Sequence, residues 1–556
     1  MREERAKNCT TPKLSLCMIV KDEEKDISGC LESVKGVVDE TIVVDTGSTD
    51  RTVEIAKSLG ARVYSFSWCD DFAAARNESI RHATGDYIIW LDADDRIEGA
   101  EVQKLRELKQ CFPRAKNRAY ALQLQSPRGG LVEDSSYQTR IFPNLPGVCF
   151  EGIIHEQVGH SLQRLRVPFE CVPIKVTHYG YSDPKHLPEK AERNLGLLLR
   201  QEKKNPSDYV NQFHLAETYG ALGNKAKALE HFKKVIYETN CQNENHYILL
   251  AAYLEIAKLY KEMSLYNIAT NTLHEAAQLF PDNSLIRFHQ GEVYFCLRRY
   301  EDTLKELFLV KEDELDLFVI PIPTRAISYL LHSYKARCYQ VLADQAGAQD
   351  TRGSLEKVRE EYEKALQWNP NAVECLTDLG TIYLKSGMLE KARELLEKAL
   401  SLGRKDSALY SNLALVYARQ GDDMRAEQWY QEALKIEPDL IEALTNLGHL
   451  YLRNNRLEEA ERTFMQVVSN GLENGGLVDV HLALGYIYAQ RFEIEYCVRE
   501  CDRALALLDM PRDMVLEKLE DLVQLYNDIG VRLENDNRLA EALMGFRTAV
   551  LLSRAG

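Results

Sequence analysis

Apolar residues fall along this chain in two different rhythms. From Leu14 to about His178, short apolar runs alternate with stretches of helical spacing, and the runs Leu14 to Val20, Thr41 to Val44, Arg62 to Phe66 and Tyr87 to Leu91 read as buried strands. Between the second and third of these, Thr49 or Asp50 stands where a helix would be capped. Val53, Ala56 and Leu59 share one face of that helix, and Gly60 ends it. Strands alternating with helices predict βαβ units and a parallel sheet. After Leu187 the spacing is helical to the end of the chain.

Comparing the second stretch with itself at a fixed offset exposes a repeat. Gly380, Ala414 and Gly448 are 34 residues apart, as are Tyr383, Tyr417 and Tyr451, then Ala392, Ala426 and Ala460, then Leu396, Tyr430 and Phe464. A small residue lets two antiparallel helices approach and a large one fills the seam. The 34-residue period, with Pro438 where a unit ends, resembles the tetratricopeptide repeat. Ala216, Tyr219, Ala228 and Phe232 make a weaker copy, as do Ala257, Tyr260, Ala269 and Leu273, and Gly291, Gly485 and Gly530 mark others. Leu315 to Ser354 breaks the period, and Pro321 and Pro323 predict an irregular linker or a distorted repeat there. Stacked helix pairs form a superhelix whose concave face suits an extended segment of another protein; the rival use is self-association into a homodimer.

Composition narrows the picture. The 556 residues exceed one hydrophobic core, and 45% hydrophobic with 28% charged residues is ordinary for a folded chain. A formal charge of -16 argues against a general nucleic-acid binder. The thirteen cysteines are scattered, with Cys497 and Cys501 the nearest pair, and read as thiols in a reducing cytosol. The first apolar run is of strand length and ends at Lys21-Asp22-Glu23-Glu24, so the expectation is a cytoplasmic protein with no export or membrane segment.

Candidate chemistry follows from what stands after each strand, because parallel sheets bind ligands beyond the carboxyl ends of their strands. Lys21-Asp22-Glu23-Glu24 follows the first strand, Asp45-Thr46-Gly47-Ser48-Thr49-Asp50 the second, and Asp92-Ala93-Asp94-Asp95 the fourth. Clustered carboxylates resist joint ionisation unless a cation sits among them. Hard oxygen ligands of this kind suit Mg²⁺ or Mn²⁺ shared with a substrate's phosphates. No glycine-rich phosphate loop is present, so phosphate must be met through metal, with Arg76 a candidate second cation.

Taken in order, Cys17-Met-Ile-Val-Lys-Asp-Glu-Glu24, Val43-Val-Asp-Thr-Gly-Ser-Thr-Asp50, Phe72-Ala-Ala-Ala-Arg-Asn77 and Trp90-Leu-Asp-Ala-Asp94 resemble the successive motifs of glycosyltransferase family 2, over roughly residues 13 to 180. The resemblance implies an α/β GT-A, Rossmann-like catalytic domain over residues 1–190. The all-α tetratricopeptide-repeat superhelix would then cover 191–556, irregular around 315–354. It further implies an inverting transferase using a nucleotide sugar and a divalent metal, Mn²⁺ or Mg²⁺. On that likeness Asp45 contacts the nucleoside, Arg76 and Asp92 help bind the nucleotide sugar, and Asp92, Asp94 and His178 hold the metal. Glu156, in Phe150-Glu-Gly-Ile-Ile-His-Glu156, is the base, with Glu151 its rival. Asp22 and Asp95 stand where the family more often has Asn and Glu. A small family 2 domain followed by such repeats also resembles bacterial enzymes that glycosylate flagellins and, more distantly, bacteriocin peptide S-glycosyltransferases. That likeness implies a UDP-sugar donor, UDP-N-acetylglucosamine before UDP-glucose. It implies a Ser or Thr hydroxyl of a protein acceptor, or else a Cys thiol, with a repeat scaffold on a decayed enzyme as the other alternative.

Overall fold

The computed structural model describes residues 11–128, 131–179, 187–238, 246–313, 324–346, 351–470, 477–510 and 519–555. The chain divides into two compact units, Met1–Asn369 and Pro370–Gly556.

The first unit begins with an α/β layer structure. Strands β1 (Leu14–Val20), β2 (Glu40–Asp45), β3 (Arg62–Ser65) and β4 (Tyr87–Trp90) are linked by helices α1 (Ile27–Ser33), α2 (Thr52–Ser58) and α3 (Phe72–His82). The rest of the layer is the two-residue strand β5 (Asp95–Arg96), α4 (Ala100–Gln110), β6 (Ala119–Arg128), β7 (Leu131–Pro143), α5 (Gly159–Arg164) and β8 (Phe169–His178). The strands form one eight-stranded sheet in the order β3-β2-β1-β4-β7-β6-β8-β5. Strand β1 explains why the sheet is covered on both sides. Leu14, Leu16, Met18 and Val20 enter a core with α1 and α4, while Cys17 enters an opposite core with Ala73 of α3, Phe142 and Phe150.

The sheet is continuously parallel across β3-β2-β1-β4. Beyond β4 it is mixed, since β7 runs antiparallel to β4 and to β6, β8 runs parallel to β6, and β5 runs antiparallel to β8. The four strands read from the sequence are the parallel ones, and the later strands depart from that pattern because β6 and β7 are successive and pair directly, with no crossover helix between them.

Helices α6 (Leu187–Lys204), α7 (Tyr209–Ala221) and α8 (Lys225–Tyr237) follow, and helix pairs continue to the end of each unit. The small-then-large pairing read from the sequence is physical contact. A Cβ on Gly380 would lie 2.9 Å from the Leu396 side chain, and one on Gly448 would lie 2.6 Å from the Phe464 ring. Only glycine lets those helices close on each other. Where the period breaks, the structure has two long helices, Thr324–Ala346 and Thr351–Trp368, while residues 314–323, with Pro321 and Pro323, lie outside the described residues.

Candidate active site

Every strand that ends at the carboxyl edge of the parallel half delivers an acidic or amide-rich turn. At the end of β2, Asp45 is buried and its carboxylate accepts the Gly47 and Ser48 amides at 3.3 and 3.1 Å. Gly47 adopts φ +110°, which lets the chain fold back over that carboxylate. The Asp22 carboxylate accepts from Thr49, with the backbone amide at 2.7 Å, and the Asp50 carboxylate accepts from the Glu24 amide at 3.1 Å. Asp22 and Asp50 thus tie the first two turns to each other.

The structure brings Asp92, Asp94 and His178 together and adds Asp95. One ligand atom from each of the four lies within 4.8 Å of the others. Chain geometry accounts for this: Asp95 pairs with His178 across the β5–β8 ladder, and the Tyr179 amide donates to the Asp94 carbonyl at 3.0 Å. Asp45 stands apart from the cluster, two strands away through β1, a separation of roughly 10 Å.

The four residues divide by what they touch. Asp95 has no exposed side-chain surface. It accepts the Asp92 amide at 2.9 Å, pairs with Arg140 at 3.0 Å and with His178 Nδ1 at 2.9 Å. Asp92 and Asp94 keep 32% and 24% of their side-chain surface, so they can meet a ligand and Asp95 cannot. Burial works to raise the Asp92 pKa, but the Arg76 and Arg140 guanidiniums outweigh it and hold the carboxyl at about 2. Burial raises Asp94 above the usual carboxylate range, reinforced by the charges of Asp92 and Asp95 and opposed by His178. For His178 burial acts downward, and the Asp95 hydrogen bond with the Asp94 and Asp95 charges carries its pKa above the ordinary imidazole value.

Arg76 is the hub of the site. Buried on α3, it donates through Nη2 to Asp92 at 2.7 Å and through Nε to Glu156. Its Nη1 has no hydrogen-bond partner among the described residues. Arg140, on β7, is buried beside it, and the two guanidinium carbons stand 4.3 and 3.7 Å from the centroid of the Trp90 ring. Sequence reasoning missed Arg140 and gave Asp95 no role. A lone arginine inside Thr139-Arg140-Ile141-Phe142, otherwise a strand-like run, was the available signal.

The two candidate bases differ in setting. Glu156 is largely buried against Arg76, whereas Glu151 is paired with Arg164 and keeps 35% of its side chain exposed. The hydrogen bond from Arg164 pulls the Glu151 pKa down, against a smaller effect of burial.

The donor set fits a divalent cation. Asp92, Asp94, Asp95 and Glu156 oppose the guanidiniums of Arg76 and Arg140, and Asp94 is the carboxylate of this group that neither guanidinium pairs. The partly exposed carboxylates of Asp92 and Asp94 supply hard oxygen ligands of the kind Mn²⁺ and Mg²⁺ accept, with the His178 imidazole beside them.

Comparison with known proteins agrees with this geometry. Residues 15–110 match Glycosyl transferase family 2. Tetratricopeptide repeat families match residues 211–238, 351–416 and 406–470, and a YpiA-like tetratricopeptide family matches 262–314. A TPR repeat-containing protein of Synechococcus elongatus is 36% identical over 217 residues, covering 38% of this chain and 52% of its own length. The SPbeta prophage-derived glycosyltransferase SunS of Bacillus subtilis is 30% identical over 274 residues, covering 44% of this chain and 63% of its own length. An uncharacterized glycosyltransferase of Rickettsia typhi is 39% identical over 85 residues, covering 15% of this chain and 29% of its own length. The chain thus spans about half to under two thirds of the length of the first two relatives. What it carries is a glycosyltransferase family 2 domain at its N-terminal end, followed by tetratricopeptide repeats.

Proposed function

We propose that the protein is an inverting, metal-dependent glycosyltransferase that moves a sugar from a UDP-sugar to a Ser or Thr hydroxyl of a protein acceptor. The observation that carries this reading is the convergence of Asp92, Asp94, Asp95 and His178 at the edge of a family 2 domain. UDP-N-acetylglucosamine is the first donor to try and UDP-glucose the second, with flagellin the type of acceptor. The proposed boundary between catalytic domain and array lies near residue 190.

Asp94 and His178 would hold the ion, with Asp92 beside them. When bound, a divalent ion offsets charge on the leaving diphosphate. Asp45 accepts hydrogen bonds from the nucleoside. Arg76 acts from behind the site, keeping Asp92 ionised toward the donor and aligning Glu156. The Glu156 carboxylate removes the acceptor hydroxyl proton as that oxygen bonds to the anomeric carbon. The bond from that carbon to the diphosphate oxygen breaks, UDP departs with the electron pair, and the anomeric centre inverts.

The repeats support a protein acceptor, since stacked helix pairs present long surfaces suited to polypeptide. No described helix is long and apolar enough to cross a membrane, and the described cysteines are free thiols, which supports a cytoplasmic setting.

The test is to incubate the purified protein with Mn²⁺, a panel of UDP-sugars and host lysate, and to find which protein gains mass. Asp94→Ala and excess EDTA should each abolish the gain. Full transfer in EDTA, or wild-type turnover by Asp94→Ala, overturns the metal assignment. A sugar on a Cys side chain would reassign the acceptor, and no turnover with any donor would favour a scaffold role.

A further inference from the structure

We infer that the first repeat is a working part of the active site: His214 of α7, with Gln201 of α6, positions the loop that carries Glu156. The loop has little of its own to fix it. Glu151 and Gln157 exchange backbone hydrogen bonds at 3.0 Å, closing a five-residue excursion whose backbone is bent at Gly152 and His155, with φ of +100° and +53°. Histidine lacks glycine's freedom in that region, so contacts from outside must hold the bend.

Those contacts come from α6 and from α7 of the first repeat. The His155 ring stacks on His214, centroids 3.9 Å apart and planes 16° from parallel. Ile154 is buried in the same core as Leu197 and Leu198 of α6 and Phe213 of α7. The Ile153 amide donates to the Gln201 side-chain oxygen at 3.3 Å. The Ile153 carbonyl in turn accepts the amide of Phe72, the first residue of the helix that carries Arg76. Both partners of the Arg76–Glu156 ion pair are therefore referenced to α6 and α7, one through Phe72 and Ile153 and the other through Ile154 and His155. A catalytic carboxylate displaced by an ångström loses much of its effect, so the repeat sets the rate as well as any acceptor choice.

The kinetic side of this inference rests on Glu156 as base; the structural side does not. Hydrogen exchange on the full chain tests the second directly. In His214→Ala the Ile153 and Gln157 amides should exchange faster by ~10-fold or more, whereas His214→Phe, which keeps a ring against His155, should protect them as the native residue does. Hydrolysis of UDP-N-acetylglucosamine with MnCl₂ should fall ~10- to 100-fold in His214→Ala and recover in His214→Phe, with UDP affinity unchanged in both. Unchanged exchange in His214→Ala, or equal loss of protection in the Ala and Phe variants, overturns the proposal. If Glu156→Gln hydrolyses the donor at the native rate, the base assignment fails while the exchange result still decides whether the repeat holds the loop.

Discussion

Asp95 Oδ1 lies 2.9 Å from Nδ1 of His178 across the antiparallel β5–β8 pair, and Asp95 has no exposed side-chain surface of its own. An interior carboxylate on an imidazole fixes the ring's orientation and strengthens it as a ligand. Asp95→Asn keeps the size but loses the charge that faces Arg140 and His178. Mn²⁺ affinity should fall by ~10- to 100-fold although Asp95 offers the ion no exposed oxygen. Calorimetric titration with MnCl₂ checks this, and native affinity in Asp95→Asn would show that Asp94 and His178 need no such support.

The same contacts set a pH dependence. His178 titrates above the ordinary imidazole value and Asp94 above the ordinary carboxylate value, so both hold protons to higher pH in the metal-free protein. A metal takes the neutral ring and the ionised carboxyl, and protons compete with it. Mn²⁺ affinity should therefore rise with pH through the ordinary imidazole range and level off only above it, once the raised His178 has lost its proton. Titrations at several pH values read this. Affinity that stays flat across that range would remove His178 from the ligand set.

Glu156 and Glu151 are separated by a conservative substitution. In Glu156→Gln the amide oxygen still accepts from Arg76 Nε, so the loop and Asp92 keep their alignment while the group no longer takes a proton. Sugar transfer should fall by a factor of ~10² or more with UDP binding retained. Glu151→Gln should change little, because Glu151 is spent on Arg164 at the surface. If Glu151→Gln shows the loss and Glu156→Gln does not, the roles are exchanged. Equal loss of UDP binding and turnover in Glu156→Gln would instead make that residue an anchor for Arg76.

Much of this was legible in the sequence, for reasons that are physical. Asp45, Asp92 and Asp94 stand directly after apolar strand runs, and the ends of neighbouring parallel strands converge. The repeats were legible because Gly380 and Leu396, or Gly448 and Phe464, must touch in every unit, which fixes their spacing. Asp95 was undervalued because it serves the protein interior rather than a ligand, and an Asp in an acidic run gives no sign of which way it faces. Arg140 was missed because β6 and β7 interleave Ser, Gln and Thr with apolar residues, so the hairpin lacks the continuous apolar run of a buried parallel strand. The stacking of His155 on His214 joins two elements with no periodic relation, and no local pattern records it.

That last contact changes what truncation should do. A chain ending at Asn205 keeps the sheet, the acidic cluster and α6 with Gln201, but it loses α7 with His214 and Phe213, so Ile154 and His155 lose their packing. A chain ending at Glu238 keeps α7 and α8 and removes the rest of the array, at the expense of exposing apolar surface that packed on Leu249 and Leu250. If the repeats serve only to grip an acceptor, both chains should hydrolyse UDP-N-acetylglucosamine at the native rate and both should fail on intact acceptor. If the first repeat also holds the Glu156 loop, the chain ending at Glu238 should hydrolyse the donor at the native rate, whereas the shorter one should fall ~10-fold or more below it. Both should bind UDP with MnCl₂ alike, since Asp45, Asp92 and Asp94 remain. Transfer to intact acceptor, measured beside transfer to a short peptide at high concentration, then isolates the contribution of the later repeats. Native transfer to intact acceptor by the chain ending at Glu238 would remove those repeats from acceptor recognition and leave self-association as their better account.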